Sequence, residues 1–521
     1  MANIVLINPR FEASFWGLEH ALPLFGKRAN MPVACLPLLA ALTPAEHHIT
    51  LLDENVEPLD FDRIARADIV GLTGMSVQRA RAREILTELK RRNAFIVVGG
   101  PWVTVQEDYY EGLADVIFIG EAEETWPRFL TEWKQGRHAV RYEQSEKTDM
   151  TTLPVPRTDL LQMRHYLFGS VQFSRGCPFQ CEFCDIIVTF GRRPRLKTSQ
   201  QIMLELEALR RQKMAVVFIV DDNLIGNKKA IKPVLEEVAA WQKREGYPLS
   251  FFTEASLDLA EDEELVQLMI DANIQAVFIG IESPNEESLR ETKKYQNLMK
   301  RGDTLINRVH KIQNAGLEVW CGMILGFDAD APAIFAAQQA FIMDSRIPHA
   351  MVGMLSAIPK TPLYDRLAAE GRLDREDHSE YGTNVIPLQM SRAELRDGYI
   401  RMMQDLYHPD AFFARLDSLY LRGNFQLGEG QRRYWRSHPL SGLKSQSANL
   451  LRAAVLYLRL IRSVPDRALR KEYARRIAML VKARPDPTLL FFYVLKCAMH
   501  YHHVTMARQM TEGNTTLANS F

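Results

Sequence analysis

Cysteine is scarce in this chain, and long apolar runs are absent. Only 6 of the 521 residues are cysteine, which excludes the disulfide-rich scaffolds of small secreted proteins. No run of 18 apolar residues occurs, so we expect no membrane-spanning helix. Residues 1–7 read as a strand rather than as a secretory leader. These absences predict a cytoplasmic protein, whose thiols stay reduced.

The net charge of the chain is zero, but basic and acidic residues are unevenly distributed along it. Lysine plus arginine number 64, as do aspartate plus glutamate. Residues 421–521 hold 17 basic and 5 acidic side chains, so this part carries +12 and the remainder −12. The asymmetry predicts an acidic partner or surface for the C-terminal part. The neutral total gives no basis for predicting a nucleic-acid partner.

The first 140 residues lack a Gly-x-Gly-x-x-Gly fingerprint, so they predict no nicotinamide dinucleotide site. They do contain five apolar runs, and helical patterns such as 77–92 separate several of them. This alternation predicts an α/β domain with a doubly wound, Rossmann-like parallel sheet. Ligands of such sheets bind at the carboxyl ends of the strands, although glycine after a strand is also ordinary turn chemistry. The predicted strands are 3–8, 49–53, 69–73, 95–98 and 116–119.

Three of the six cysteines lie in one short stretch, 174–185. Cys177, Cys181 and Cys184 are separated by three residues and then by two. Thiolates are the usual ligands of iron–sulfur clusters, and a cubane normally takes four of them. Three thiolates would leave one iron open to a small molecule. A structural zinc site would need a fourth ligand that the neighbouring sequence does not supply.

This spacing, with Phe183 just before the last cysteine, resembles the motif of the radical S-adenosylmethionine (SAM) enzymes. By that resemblance, Cys177, Cys181 and Cys184 ligate a [4Fe-4S] cluster. SAM then chelates the open iron, and Phe183 lies near its adenine. In that family the reduced cluster cleaves SAM to a 5′-deoxyadenosyl radical.

Strand and helix patterns alternate again from 169 to 373. Six apolar runs predict a partial (β/α)6 barrel, related to the complete TIM barrel, with its chemistry at the carboxyl ends of the strands. Polar residues at these ends are either helix caps or site residues; in the latter interpretation Asp222, Asn223 and Glu254 face a cofactor cavity. By the family resemblance, Glu282 and Ser283 touch the methionine or ribose part of SAM, and the strand ending at Gly326 packs near adenine. The predicted strands are 170–173, 216–220, 249–253, 276–281, 318–325 and 349–355.

The position of the first sheet, directly before the cysteine motif, resembles the cobalamin-binding domain of cobalamin-dependent radical SAM proteins. An Asp-x-His-x-x-Gly segment is absent, so we expect no histidine as the lower ligand of cobalt. By the resemblance, cobalamin and its nucleotide tail contact Ser76, Gln78, Gly99, Gly100, Gly120 and Glu121.

Several short segments carry a closer resemblance, to the subgroup that contains the hopanoid 2-methylases. They include 9–11, 28–32, 53–55 and 74–78, and the similarity weakens toward the C-terminus. One departure from this subgroup lies at 31–36, where the subgroup often has Met-Pro-Pro-x-Gly-Leu but this chain has Val33 and Cys35 in place of the second proline and the glycine. Separately, 359–364 resembles the closing segment of the radical SAM barrel, with Lys360 where glycine is usual.

The remaining segments are a proline-punctuated linker, 141–168, and a basic, mostly helical domain, 374–521. Within the latter, 449–462 is amphipathic and basic. It either lies on an anionic membrane surface or packs against the barrel with its arginines in solvent. His500, His502 and His503 are predicted to lie on a surface helix rather than to bind a metal.

Together these observations predict four segments: a cobalamin-binding domain (1–140), the linker (141–168), a radical SAM barrel (169–373) and the helical domain (374–521). The predicted reaction is methylation of an unactivated carbon of a small-molecule or lipid substrate such as a hopanoid. A low-potential donor, flavodoxin or ferredoxin, would supply electrons, and the C-terminal domain would contact the inner face of the membrane. Two alternatives remain: cyclisation or rearrangement without methyl transfer, and a cobalamin or iron–sulfur sensor.

Overall fold

The computed structural model describes residues 1–299, 302–376, 380–423, 425–513 and 517. In this part of the chain, strands and helices alternate up to residue 354, and helices follow. The strands are β1 (Asn3–Asn8), β2 (His48–Asp53), β3 (Ile69–Thr73), β4 (Ile96–Gly99), β5 (Val116–Ile119), β6 (Arg141–Glu143), β7 (Gly169–Val171), β8 (Ser174–Arg175), β9 (Arg195–Leu196), β10 (Val216–Ile219), β11 (Ser250–Ala255), β12 (Ile274–Glu282), β13 (Glu318–Leu325) and β14 (Ala350–Met354).

The α-helices range from one turn to seven turns in length. They are α1 (Leu22–Phe25), α2 (Cys35–Leu42), α3 (Phe61–Ile64), α4 (Arg79–Lys90), α5 (Pro101–Val105), α6 (Thr125–Lys134), α7 (Ile186–Thr189), α8 (Ser199–Arg211), α9 (Lys228–Glu245), α10 (Glu263–Asp271), α11 (Glu286–Glu291), α12 (Leu305–Ala315), α13 (Ile334–Asp344), α14 (Pro362–Ala369), α15 (Arg392–Tyr407), α16 (Pro409–Asp417), α17 (Glu429–Ser437), α18 (Pro439–Ser463), α19 (Arg467–Ala483) and α20 (Pro487–Thr511).

The chain divides into two compact units that share its length unevenly. The first unit contains Met1–Glu12, Arg28–Asn227 and Ala357–Arg366. The second contains the remaining segments, Ala13–Lys27, Lys228–Ser356 and Leu367–Phe521. Each unit is therefore built from pieces that are distant in sequence.

The first unit contains a six-stranded parallel sheet in the order β2-β1-β3-β4-β5-β6. Its central strands, β1, β3, β4 and β5, are largely apolar on both faces, as expected for a sheet covered by helices on both sides. One face packs on α4 through side chains such as Leu86, and the other packs on α6 through Phe129. The strand order reverses between β1 and β3, which is where ligands of such sheets bind.

The predicted sheet had five strands, and the structure adds the edge strand β6. Only Tyr142 of its three residues is buried, so the segment has no apolar run that sequence analysis could detect. The first unit also holds the parallel pair β7 and β10. A short antiparallel pair, β8 and β9, encloses the cysteine motif.

The second unit contains four parallel strands in the order β14-β13-β12-β11. All eight residues of β13 are buried. The six strands predicted between 169 and 355 are thus all present, two in the first unit and four in the second. The predicted α/β class with parallel sheets is confirmed.

The C-terminal part is helical, and α18 packs against α20. His500, His502 and His503 on α20 are fully buried, so the prediction of a surface helix for them is wrong. The reason is that α20 is apolar around much of its circumference and lies inside the helical layer. His500 contacts the Tyr473 hydroxyl at 2.8 Å, and burial lowers its pKa to about 3. Among the described helices, none is long and apolar enough to cross a membrane.

Candidate functional site

A cavity of about 400 Å³ lies at the carboxyl ends of the parallel strands in the first unit. The turns after β3, β4 and β5 form part of its wall, at 73–75, 99–101 and 120–123. Aliphatic side chains of the sheet and of α2 form much of the rest, together with the aromatic rings of Phe118 and Trp126. This placement agrees with the general position of ligands in doubly wound sheets.

Glycines leave bare backbone in this wall. At Gly71 a Cβ atom would lie 2.5 Å from Leu6 Cδ2, so an added side chain would force the Leu6 side chain to shift. Gly100 has φ +101°, and a Cβ atom there would lie 2.5 Å from Thr73 Oγ1. Position 100 therefore requires glycine, because both the backbone conformation and the space exclude a side chain, whereas position 71 is only crowded. A wall of backbone and aliphatic groups fits the apolar benzimidazole base at the end of the nucleotide tail of a cobalamin.

Of the residues predicted to contact cobalamin, the structure places all but one in the cavity wall. Gln78 is buried and holds the turn after β3: its Oε1 accepts from Met75 N at 3.0 Å, and its Nε2 donates to Asn8 Oδ1 at 3.0 Å. Ser76 lies outside the cavity wall, in the same turn. The members of the predicted set that line the cavity are Gln78, Gly99, Gly100, Gly120 and Glu121.

Glu121 is the centre of a buried ion-pair network that sequence analysis did not foresee. Its side chain is 1% exposed and pairs with Arg195 at 2.7 Å and with Arg175 at 3.2 Å. Arg175 also pairs with Glu123 at 2.6 Å, and Thr148 N donates to Glu121 at 2.6 Å. Burial alone would raise the pKa of Glu121, but the Arg195 and Thr148 hydrogen bonds lower it below the usual value. The network ties the turn after β5 to both strands that enclose the cysteine motif.

Two aspartates after β10 hold the start of the cysteine loop. Asp221 accepts from Phe173 N at 2.7 Å and from the Ser174 hydroxyl at 2.6 Å. Asp222 accepts from Gly176 N at 2.7 Å. Burial raises the pKa of Asp221 to about 6 and the pKa of Asp222 to about 7. Asp222 lines the cavity of the first unit, and its contact with a cofactor stays a prediction.

The three cysteines of the motif lie within electrostatic range of one another. Burial is the main cause that raises the pKa of Cys184 well above its usual value. The charges of Asp185, Cys181 and Cys177 raise it further. Such thiols give up their protons when iron binds, which couples metal binding to ionisation. Asn223 Nδ2 lies 3.8 Å from Cys177 Sγ, and hydrogen bonds to sulfur tune the potential of a cluster.

The sequence motif predicts a cluster rather than a single ion at these cysteines. Across the described residues, no three His, Cys, Asp or Glu side chains form a group that could hold one metal ion. In a cubane each thiolate binds a different iron, so the three sulfurs need not converge on one point. Phe183 and Cys184 are partly exposed and Cys181 is buried.

In the second unit, Glu282 ends β12 in a strained conformation. Its φ is +65°, and the pairing register shifts between Gly280 and Glu282. Lys294 Nζ lies 2.7 Å from Glu282 Oε1, whereas the buried Oε2 has no hydrogen-bond partner among the described residues. Strain of this kind is maintained at functional sites. A buried carboxylate oxygen held this way can accept a hydrogen bond from an amino or hydroxyl group.

The other predicted SAM contacts of this unit differ in burial and in hydrogen bonding. Ser283 is buried, and its Oγ accepts from Asn285 N at 3.1 Å. Gly326 follows β13 with φ +99°, and its N–H donates to Asp330 at 3.0 Å. Glu254 is partly exposed near the end of β11. Sequence analysis missed Asp330, although its short spacing from the glycine, as in an Asx-type turn, could have indicated it.

Comparison with known families divides the chain into three matched regions. Residues 31–130 match the B12 binding domain, and residues 171–330 match the radical SAM superfamily. Residues 361–516 match a domain of unknown function.

Two relatives match over most of their length. The hopanoid C-2 methylase of Rhodopseudomonas palustris is 32% identical over 524 residues, which cover 99% of this chain and 96% of that protein. An uncharacterized methyltransferase of Synechocystis is 39% identical over 428 residues, which cover 80% of this chain and 78% of the relative.

Solved structures share the fold at lower identity. The cobalamin-dependent SAM radical enzyme OxsB, with aqua-cobalamin and SAM bound, superposes with a TM-score of 0.62 at 13% identity and covers 99% of this chain and 80% of that one. The radical SAM methyltransferase TsrM of Kitasatospora setae gives 0.59 at 19% identity, covering 76% of this chain and 83% of that one.

The matched regions agree with the geometry of the cavity and of the cysteine loop. The cofactors of the chain are a [4Fe-4S] cluster, SAM and cobalamin, and the predicted enzyme class is confirmed. Because a whole-chain relative exceeds 30% identity, the chain belongs to the cobalamin-binding radical SAM methyltransferases, the family that includes hopanoid C-2 methylase.

Proposed function

We propose that this enzyme methylates an unactivated carbon of a hydrophobic, hopanoid-like lipid. The observation that carries the proposal is the alignment with hopanoid C-2 methylase, which covers 99% of this chain and includes the C-terminal domain. When bound, the cluster and SAM supply a hydrogen-abstracting radical, and cobalamin supplies the methyl group.

In this proposal the residues of the chain bind and orient the cofactors. The glycines at 71 and 100 give the nucleotide tail of cobalamin access to the sheet backbone, and Glu121 holds the adjacent turn in place. Cys177, Cys181 and Cys184 hold the cluster. The orphaned Oε2 of Glu282 accepts a hydrogen bond from the amino or ribose hydroxyl groups of SAM. Ser283, Gly326, Glu254, Asn223 and Phe183 complete the proposed set of SAM contacts.

The proposed domain division follows from the same assignment. It comprises a cobalamin-binding domain (1–140), a linker (141–168), a radical SAM barrel (169–373) and a helical domain (374–521). The matches at 31–130, 171–330 and 361–516 support it.

Anaerobic turnover of the reconstituted enzyme tests the reaction. The assay uses methyl-labelled SAM, a hopanoid lipid in detergent and a low-potential reductant, with products read by mass spectrometry. Labelled, methylated lipid together with deoxyadenosine and S-adenosylhomocysteine is the expected result. Cys184→Ala should abolish deoxyadenosine and methylated lipid, which both need the cluster, and should limit S-adenosylhomocysteine to at most one equivalent per cobalamin. Cys321→Ala, at a buried cysteine outside the motif, should leave all three products. Deoxyadenosine without label transfer would favour cyclisation or rearrangement, and neither product would favour a sensor.

A small-molecule substrate and a reductant are general requirements of radical SAM methylases. We propose flavodoxin or ferredoxin as the electron donor, because their low potentials suit cluster reduction. We further propose that the enzyme works in the cytoplasm and rests on the inner face of the membrane, where a lipid substrate is available.

The proposed membrane contact is the outer face of α18. This helix turns Ala453, Leu456 and Leu460 inward but leaves a leucine stripe in solvent. Leu440, Leu443, Leu451 and Leu458 are 82%, 64%, 67% and 48% exposed. The stripe lies in the segment that carries +12, and apolar side chains among basic ones are typical of helices that lie in an anionic membrane interface. Arg452, Arg459 and Arg462 of this helix do face solvent, but so do the leucines of the stripe.

Vesicle binding tests this contact. Leu451→Glu/Leu458→Glu should lower binding to vesicles of phosphatidylcholine and phosphatidylglycerol more than tenfold, because burial of each leucine contributes about 1.5–3 kcal/mol. The matched control is Leu204→Glu/Leu388→Glu, which places the same charges at leucines that are 53% and 60% exposed elsewhere. Equal binding by wild type and by both variants would contradict the proposal.

A further inference from the structure

Three basic side chains lie beside the cysteine loop and take no part in the site described above. Arg192 and Arg193 are exposed on the segment between α7 and β9. Lys147 is exposed on the segment that follows β6. We refer to these three side chains as the basic rim.

The rim is fixed to the cysteine loop through its backbone. Cys177 N donates to Gly191 O at 3.3 Å. At Gly176, whose φ is +92°, a Cβ atom would lie 2.9 Å from Arg193 O and 3.0 Å from Gly191 O, so the two segments are in direct contact. Arg192 also donates to Pro178 O at 3.3 Å. The rim arginines are therefore held beside the first cluster ligand.

Lys147 joins the same surface from the other side. Its Nζ donates to Thr189 O at 2.6 Å. Its Cε would lie 3.8 Å from a Cβ atom at Gly191. The backbone of 189–193 is thus bordered by a lysine and carries two arginines.

The charges of the rim are not neutralised within the described residues. No ion pair is present for any of the three side chains, whereas the neighbouring Arg175 and Arg195 are both paired with glutamate. Glu146, next to Lys147 in sequence, is the exposed acid that accompanies them. The side chains of the rim therefore present a net positive surface to solvent.

The cysteine loop reaches solvent at the same place. Cys177 and Pro178 are partly exposed and Gln180 is exposed. The exposed basic rim therefore lies beside a part of the cysteine loop that reaches solvent. Positive surfaces steer negatively charged partners and raise their association rates. Electron-transfer encounters need only a small interface, below about 1,200 Å².

We propose that the basic rim is the docking surface for an acidic, low-potential electron-transfer protein of the flavodoxin or ferredoxin type. In the transfer, the donor centre is oxidised by one electron and the cluster site receives that electron. The inference rests on the proposed function, since it assigns a place to the electron donor. It also predicts that binding of the donor weakens as salt increases.

The test compares two charge-reversed variants of the full chain. Arg192→Glu/Arg193→Glu changes the rim by four charges. Arg63→Glu/Arg66→Glu makes the same change at exposed arginines of the same unit. The first readout is the dissociation constant for oxidised flavodoxin, measured by calorimetry at 50 and 300 mM NaCl. The second is deoxyadenosine formation driven by reduced flavodoxin or by dithionite.

The rim variant should bind flavodoxin on the order of tenfold more weakly at low salt and should lose flavodoxin-driven turnover, since rim charges govern association. Its turnover with dithionite should equal that of wild type, because a small reductant needs no docking. The control variant should match wild type in both readouts. Unchanged binding in the rim variant, or equal loss with both reductants, would overturn the proposal. Absence of deoxyadenosine from the wild type would instead refute the proposed function, while the binding readout would still decide the docking surface.

Discussion

Glu121→Gln tests whether the buried ion-pair network holds the cysteine loop against the sheet. The substitution keeps the shape of the side chain but removes the charge that faces Arg195 and Arg175. Removing one partner of a buried ion pair costs about 3–5 kcal/mol. Arg175 keeps Glu123, and Arg195 keeps the carbonyls of Thr148 and Phe190. We therefore expect the lower end of that range, about 3 kcal/mol.

Hydrogen exchange measures this cost locally, which suits a chain of two units. A loss of about 3 kcal/mol in opening free energy corresponds to exchange that is roughly 100-fold faster. The effect should appear in peptides that cover 119–123 and 170–197. The control is Glu124→Gln, an exposed glutamate three positions further along the same turn. An acceleration below about fivefold, which is about 1 kcal/mol, would refute the idea that the network holds the loop.

Three further predictions concern other parts of the chain. Gly100→Ala should weaken cobalamin binding on the order of tenfold in equilibrium dialysis, since its Cβ would clash; Gly112→Ala has a similar φ of +76° but open space and should leave binding unchanged. Lys496→Met leaves the carboxylate of Glu318 buried without its 2.6 Å partner and should destabilise the protein by about 3–5 kcal/mol. Denaturation should show that adding Glu318→Gln recovers more than half of this loss. Burial raises the pKa of Asp330 to about 6, so its contribution to stability is present below pH 4 and lost as the pH rises through 6. Asp330→Asn should therefore gain stability relative to wild type between pH 4 and 7; parallel pH profiles would contradict this.

The sequence alone predicted the parts of the fold that depend on local pattern. The strands from β1 to β5 and those from β10 to β14 appear as apolar runs of the expected length. The cysteine motif was recognisable from spacing alone. Strand β6 was not predicted, because one buried side chain among three residues gives no detectable periodicity.

The contacts that organise the site were less accessible to sequence analysis. Arg175 and Arg195 meet Glu121 across more than fifty residues, and no period or spacing connects positions so far apart. Lys294 follows Glu282 by twelve residues, and α11 lies between them in sequence. His500 was misplaced because a histidine in a buried helix has the same sequence appearance as one on a surface.

One departure from the family pattern has a structural explanation. Lys360, at the position of the barrel's closing segment where glycine is usual, has φ +67°. Its Nζ donates to Thr104 O at 2.7 Å and pairs with Glu107 at 2.8 Å. Hydrogen bonds from Arg141 and from Lys360 lower the pKa of Glu107 to about 2. These two bonds offset the strain of a left-handed residue with a side chain.

The return of Ala357–Arg366 to the first unit affects the order in which the protein can be completed during synthesis. Glu182, inside the cysteine motif, accepts from Leu363 N at 3.1 Å and pairs with Arg366 at 2.6 Å. A ribosome adds about 5–20 residues per second, so roughly 7–28 seconds separate residue 227 from residue 366. During that interval the loop lacks these two contacts. A fragment that ends at residue 227 would lack them permanently, so the cysteine loop of the nascent chain reaches its final surroundings only after residues 357–366 have been made.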